Sequence, residues 1–255
     1  MLRDELVKFL DRELDLAAFS GDVSNNGLQI EGKTEVKKIL FAVDGCLEVF
    51  KAAVEKKCDF IFVHHGISWC GGLKRWTGID AARFSTLFKN DISLYAAHLP
   101  LDAHEKFGNN AVLCEYAGLK TNRKKFFHYD GVDIGFSGEL EKDITLQELA
   151  VKTASPLGGV FKLRGNPDKI CRKAAIVSGG GGIDSIMEAA SIGCDVLITG
   201  EMEHIMHHAA IETKVAVIAL GHYASETTGP KALMEHIGRT FPEVETVFFD
   251  VPTGL

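Results

Sequence analysis

Short apolar runs alternate along this chain with segments whose apolar residues recur every three or four positions. The runs read as strands at about 36–43 ("VKKILFAV"), 58–63 ("CDFIFV"), 92–97 ("ISLYAA"), 173–178, 194–199 ("CDVLIT") and 215–220 ("VAVIAL"). Helical patterns lie between most of them, at 46–56, 79–90, 105–117, 183–192, 203–213 and 226–238. The N-terminal "MLRDELVKFLDREL" is helical in spacing through Leu2, Leu6, Phe9 and Leu10, and its mixed charge is unlike a signal peptide. Short β-branched runs alternating with helices predict α/β architecture, with largely parallel sheets covered on both faces.

Two stretches match each other. "KILFAVDGCLEVFKAAVEKKCDFIFVHHG" begins at Lys38 and "KAAIVSGGGGIDSIMEAASIGCDVLITGE" at Lys173. Each runs strand, glycine-containing turn, helix with an Ala-Ala pair, then Cys-Asp (58–59 and 194–195) and an apolar strand. Downstream, His98-x-x-x-Asp102 after "ISLYAA" has a counterpart in His222-x-x-x-Glu226 after "VAVIAL". The expected architecture is two related α/β halves, 1–124 and 125–255, with mainly parallel sheets and a metal site at the cleft between them. Open parallel sheets bind ligands outside the carboxyl ends of their strands. His64, His65, His98 and Asp102 fall at or just past such ends in the first half, and Glu201, His222 and Glu226 in the second.

Composition narrows the class. With 255 residues, 46% hydrophobic and 25% charged, the chain has ordinary globular composition and no apolar run near the roughly 20 residues of a membrane helix. Its formal net charge of −7 argues against nucleic acid as the main partner, since phosphate contacts need a basic face. The one basic cluster, "KTNRKK" at 120–125, reads as a solvated connection. Six scattered cysteines without Cys-x-x-Cys pairs, several within apolar segments (Cys58, Cys114, Cys194), read as reduced core residues of a cytoplasmic protein.

Imidazole with carboxylate suits Zn, Fe, Mn, Co or Ni. Successive residues of a regular strand point to opposite faces, so His64 and His65 cannot both reach one ion from regular β geometry, although at a strand end running into "GISW" each could address a different ion. "HLPLD" reads as a turn or first helical turn, because Pro100 excludes a helix interior, and its Asp102 can bridge ions or cap. "GHYASE" reads as a turn into a helix begun by Glu226, preceded by His222. Glu201 is placed as an acid/base or substrate contact, or as a cap of the helix starting near 203. His204, His207 and His208 of "EMEHIMHH" have helical spacing and read as a surface face or support for the site. "SGGGG" (178–182) is a permissive turn or a phosphate cradle. "GISWCGGLKRWTG" (66–78) is a candidate flexible flap, with Trp69, Trp76, Lys74 and Arg75 to stack on and neutralise an anionic substrate.

The set "NNGLQIEG", "HHG", "AHLPLD", "TGE" and "GHYASE", in this order from residue 25 to 226, resembles the Nif-three-like family, whose members are often labelled GTP cyclohydrolase type 2 homologues. The length matches the short form without a central insertion. The resemblance implies a dinuclear divalent-metal centre with ligands His64, His65, Asp102, His222 and Glu226. It places His98 beside that centre, and Glu201 and His208, from its "GE…H" segment, near the cleft. It also implies a toroidal homohexamer and a GTP cyclohydrolase-like hydrolase acting on a nucleotide or similar phosphorylated small molecule. A metal-binding scaffold or regulatory adaptor with little catalysis is the alternative. Two positions depart from the family pattern. Gly66 stands where a proline follows the histidine pair, and Ser24-Asn25 stands in place of Asp-Asn.

Overall fold

Each apolar run forms a strand. The computed structural model of the chain describes residues 1–72, 75–120 and 122–255. In chain order the first elements are α1 (Arg3–Glu13), β1 (Gly27–Ile30), β2 (Lys38–Asp44), α2 (Leu47–Glu55), β3 (Phe60–His65), α3 (Gly78–Lys89) and β4 (Ser93–Ala96). They continue with α4 (Leu99–Ala103), α5 (Asn109–Ala117), β5 (Lys124–Tyr129), β6 (Val132–Thr145), α6 (Leu146–Ala154) and β7 (Lys162–Arg164). The last are β8 (Ile170–Val177), α7 (Gly182–Ser191), β9 (Val196–Thr199), α8 (Met206–Thr213), β10 (Ala216–Ala219), α9 (His222–Glu226), α10 (Thr228–Thr240) and β11 (Glu245–Phe248). No helix among the described residues is long and apolar enough to cross a membrane.

Contacts divide the chain into two units, Met1–Leu101 with Pro230–Val251, and Asp102–Gly229 with Pro252–Leu255. The first unit holds a sheet ordered β1-β4-β3-β2-β11, parallel throughout except where β1 runs against β4. Its inner strands β2, β3 and β4 are buried on both faces, as inner strands of parallel sheets are. Leu40, Ala42, Ile61, Val63 and Leu94 pack with Val49, Phe50 and Ala53 of α2. Phe41, Phe62 and Tyr95 form a second aromatic row, with centroids 5.5 and 5.7 Å apart, and the Tyr95 hydroxyl donates to Asp11 of α1 at 2.9 Å.

The second unit's sheet is ordered β5-β6-β8-β9-β10-β7. Here β8, β9 and β10 are parallel while the other ladders are antiparallel, so this sheet is mixed rather than mainly parallel. At the β5–β6 edge the cause is a hairpin. Asp130 and Gly131 both have positive φ (48° and 86°), the geometry of the two-residue turn whose twist matches paired strands. Ile176, Ile198 and Ile218 of its parallel strands pack with Leu113 of α5 and with Leu146 and Leu149 of α6.

The internal repeat is visible in the topology. The order β1-β4-β3-β2 in one sheet has the same connectivity as β7-β10-β9-β8 in the other. What differs is added at the far edge: β11 in the first, and the β5–β6 hairpin in the second. Because β11 pairs with β2, residues 230–251 return to the first unit although they follow the second repeat in sequence.

The two Cys-Asp pairs do the same work. Asp59 Oδ2 accepts from the backbone N–H of Lys37 and Lys38 (2.7 and 3.1 Å), and Asp195 Oδ2 from those of Arg172 and Lys173 (2.8 and 3.0 Å). Each aspartate thus satisfies two donors of the neighbouring parallel strand. The cysteines beside them are buried thiols, as are Cys114 and Cys171. Burial pushes Cys58, Cys171 and Cys194 up to about 11 and Cys114 up to about 12, which keeps them protonated and inert.

Candidate metal centre

In the first unit the chemistry gathers where β3 and β4 end. His64, fully buried, donates from Nδ1 to the carbonyl of Ala97 at 2.9 Å. A carbonyl only accepts, so Nδ1 carries the proton and Nε2 presents its lone pair. Nδ1 of His65 is 2.8 Å from Oδ1 of Asp44, its register partner on β2. His98 follows β4, with Nδ1 2.9 Å from Oδ1 of Asp22. Carboxylate and carbonyl partners of this kind orient metal-binding histidines and raise their basicity. His64, His65 and His98 each offer a ligand atom within 4.8 Å of the others. The rings of His64 and His65 are 4.5 Å apart, so the alternation expected to send them to opposite faces has given way at the last residue of β3.

Asp22 is a hub. Besides His98, its carboxylate accepts from Ser24 N–H, Asn26 Nδ2 and Leu99 N–H at 2.8–3.0 Å. Burial pushes the Asp22 carboxyl up, but the donors, His98 first among them, hold it below the usual carboxylate range. Asn26 Oδ1 also accepts from His98 N–H at 2.8 Å. A carboxylate is therefore present close to where the family pattern has Asp and this chain has Ser24.

The loop after β3 is gripped by Gln29. Its Oε1 accepts from the N–H groups of Ile67 (2.8 Å) and Ser68 (3.2 Å), and its Nε2 donates to the carbonyls of Asn25 (2.8 Å) and Ser68 (3.3 Å). A side chain at Gly66 would collide with that amide and with Ala96, which explains glycine in place of proline. Residues 66–70 of the expected flap are therefore a pinned wall. Lys74, the expected anion contact, lies outside the described residues, and Arg75 is exposed.

In the second unit the ends of β8, β9 and β10 bring Glu201, His222 and Glu226 together. His222 opens α9, rather than preceding a helix begun by Glu226, and Glu226 closes it. The i, i+4 spacing puts both on one face, with His222 Nε2 3.2 Å from Glu226 Oε1. Nδ1 of His222 is 2.7 Å from Glu201 Oε1. The Glu226 carboxylate, opposed by burial and joined by Glu201, raises the imidazole to about 9. Glu201 does not cap α8, which starts at Met206 after Ile205. Gly179, at φ +59°, lets the "SGGGG" turn pass so close that any Cβ there would strike Glu226.

Asp102 is 5% exposed and anchored within this unit: Asn109 Nδ2 and Ser178 Oγ both donate to its Oδ1 at 2.9 Å. Asn110 donates to the Asp102 carbonyl (3.3 Å) and accepts from Ser178 N–H (2.6 Å). His208 is exposed on α8 with its ring 5.1 Å from that of His207. Among the described residues it shares no hydrogen bond or ion pair with Glu201, His222 or Glu226.

The orienting residues Asp22, Gln29, Asp44, Asn109 and Asn110 escape sequence reasoning. None has a ligand-like spacing of its own. "NNGLQ" and "GNN" are dense in amides, which is the only local trace of them.

Comparison with known proteins agrees with this architecture. A curated relative from Archaeoglobus fulgidus, named GTP cyclohydrolase 1 type 2 homolog, is 45% identical over 251 residues, covering 98% of each chain. A solved structure titled protein ybgI, of unknown function, superposes with a TM-score of 0.91 at 34% identity over 100% of both chains. That of TTHA1606 from Thermus thermophilus does so with a TM-score of 0.86 at 38% identity, again over 100% of both. Residues 1–254 match the family described as Duf34/NIF3 (NGG1p interacting factor 3), and this chain belongs to that family.

Proposed function

We propose that the chain is a divalent-metal-dependent hydrolase with a dinuclear centre, acting on a nucleotide or similar phosphorylated small molecule in a GTP cyclohydrolase-like reaction. The observation that carries this reading is the trio His64, His65 and His98, with every Nδ1 engaged by an oxygen acceptor. Ligand atoms of the three imidazoles lie within 4.8 Å of one another, a set suited to Zn, Fe, Mn, Co or Ni. Two ions per chain would be held by His64, His65, Asp102, His222 and Glu226, the ligands the resemblance assigns. Bound cations of this type supply Lewis acidity and bring the pKa of water toward neutrality.

The chain's own residues prepare for that chemistry. Ala97 and Asp44 hold the tautomers of His64 and His65, and Glu201 holds a proton at Nδ1 of His222. His98, fixed by Asp22 and Asn26, stands beside the histidine pair. We further propose that copies assemble into a closed homohexamer, as closed symmetry favours.

Elemental analysis of protein purified without chelator or affinity-tag metal, paired with a GTP turnover assay, tests the reading. About two equivalents of transition metal per chain with saturable, metal-dependent turnover are expected. Metal at that level without turnover indicates a metal-binding scaffold, and metal-free protein overturns the centre altogether. Light scattering at micromolar concentration tests the hexamer, which a monomeric mass contradicts.

A further inference from the structure

Trp69 is placed as no core residue is. Its indole lies edge-on to His98, with centroids 5.2 Å apart at 72°, and 6.1 Å from the ring of His65. It is only half-buried, whereas the aromatic side chains of the sheet, Phe41, Phe62 and Tyr95, are closed to solvent. Trp76, the chain's other tryptophan, stacks on Phe84 at 4.3 Å in an ordinary surface contact.

The indole is also held still. Its Nε1–H donates to the Gly66 carbonyl at 2.9 Å, so the polar edge is satisfied within its own loop. Backbone bridging joins Trp69 to Ser24, and Cys70 N–H donates to the Val23 carbonyl at 2.6 Å. Asn25 donates from its backbone N–H to the Ser68 carbonyl (3.1 Å) and from Nδ2 to Ser68 Oγ (2.8 Å). With the Gln29 clamp on Ile67 and Ser68, the loop is tied on both sides of the ring. Neither core packing nor solubility asks for a large, half-open aromatic, immobilised this thoroughly beside two imidazoles.

We infer that Trp69 is a specificity-determining wall of the site, on which the flat heteroaromatic ring of a metal-held ligand stacks. The ligand class is a nucleotide: a planar base for the indole face, joined to anionic groups for the metal. A rigid indole suits this role because stacking tolerates any planar base and no ordering of the side chain is needed on binding. The inference deepens the proposed function and rests on its metal site.

The test uses the full-length, metal-loaded protein. With Trp76→Phe, Trp69 is the only tryptophan left, so its fluorescence reports on this ring alone. GTP is expected to quench it saturably, and inorganic triphosphate over the same concentrations is not. In the otherwise native chain, Trp69→Leu should weaken GTP binding by about 5- to 150-fold, the usual scale of one aromatic–base stack. Trp69→Phe, which restores a flat ring, should recover most of that loss, and metal content should stay constant in both. Absence of GTP binding, equal quenching by triphosphate, or unchanged affinity in Trp69→Leu overturns the wall. Loss of metal in Trp69→Leu also overturns it, because the indole would then be a support for the histidines. Elemental analysis of the unaltered protein judges the metal site separately, so failure of that reading and failure of the wall are told apart.

Discussion

Glu201 and His222 are joined by a 2.7 Å hydrogen bond between Oε1 and Nδ1, and this bond settles which nitrogen of His222 faces Glu226. It makes Glu201 a positioning residue for the imidazole. Orienting partners of metal-bound histidines are typically worth about 10–100-fold in metal affinity. Glu201→Ala should therefore weaken metal binding by about that factor in a chelator competition. Glu201→Gln keeps an acceptor oxygen and should cost less. Equal affinities in Glu201→Ala and the unaltered protein would contradict the positioning role.

The ligand assignment is tested by removing one donor from each unit. His65→Ala and Glu226→Gln should each lose metal while circular dichroism shows the fold retained. His128→Ala removes an exposed ring on β5 that pairs with Asp133, and should retain full metal content. Full metal in both ligand variants sinks the assignment.

Gly179 and Gly182 share a left-handed backbone, φ +59° and +61°, but only Gly179 has a neighbour in the way. Replacement of either by alanine incurs the left-handed penalty of about 1–2 kcal/mol. At Gly182 nothing lies within 4 Å of the new Cβ, so that penalty is the whole effect. At Gly179 the methyl meets the Glu226 carboxylate, and melting temperature and metal content should both fall below those of Gly182→Ala. Equal behaviour of the two variants in thermal denaturation and elemental analysis would refute the collision.

Asp59 gives a pH signature remote from the histidines. Burial pushes its carboxyl up, but Lys33 at 2.5 Å and the N–H groups of Lys37 and Lys38 outweigh burial and lower it. A carboxyl with a lowered folded pKa contributes stability above its unfolded value, about 3.9, and loses it as pH falls through the folded value. Asp59→Asn should accordingly be less stable at pH 7, by about 1–3 kcal/mol, and that deficit should shrink below about pH 4. Urea denaturation of chelator-treated protein at the two pH values reads the difference. A deficit that does not depend on pH would mean the charge is irrelevant.

Much of this molecule is legible in its residues. Apolar runs bounded by turns placed β2, β3, β4, β8, β9 and β10 within a few residues, because strands buried on both faces must be continuously apolar. Matching Cys-Asp pairs disclosed the repeat, because each aspartate must satisfy the same two backbone donors of the adjacent strand. Histidines and acids at equivalent strand ends marked the candidate site. Short edge strands were out of reach: β1, β7 and β11 have four residues or fewer and gain their identity from a neighbour's ladder. The β5–β6 hairpin has its own trace in "YDGV", an Asp-Gly turn signal, although neither flanking strand is a continuous apolar run.

Residue types and spacing determine which atoms are available to bind a metal. Only the tertiary structure decides which nitrogen of each imidazole is engaged by the protein, because the partner of Nδ1 comes from another strand: Asp44 from β2, the Ala97 carbonyl after β4, Glu201 after β9. Only it shows that Asp22 grips His98 across 76 positions of chain, and that Gln29 pins Ile67 and Ser68 at the start of an expected flap. A hydrogen bond depends on distance and angle in space, and separation along the chain leaves no periodic trace of it in composition.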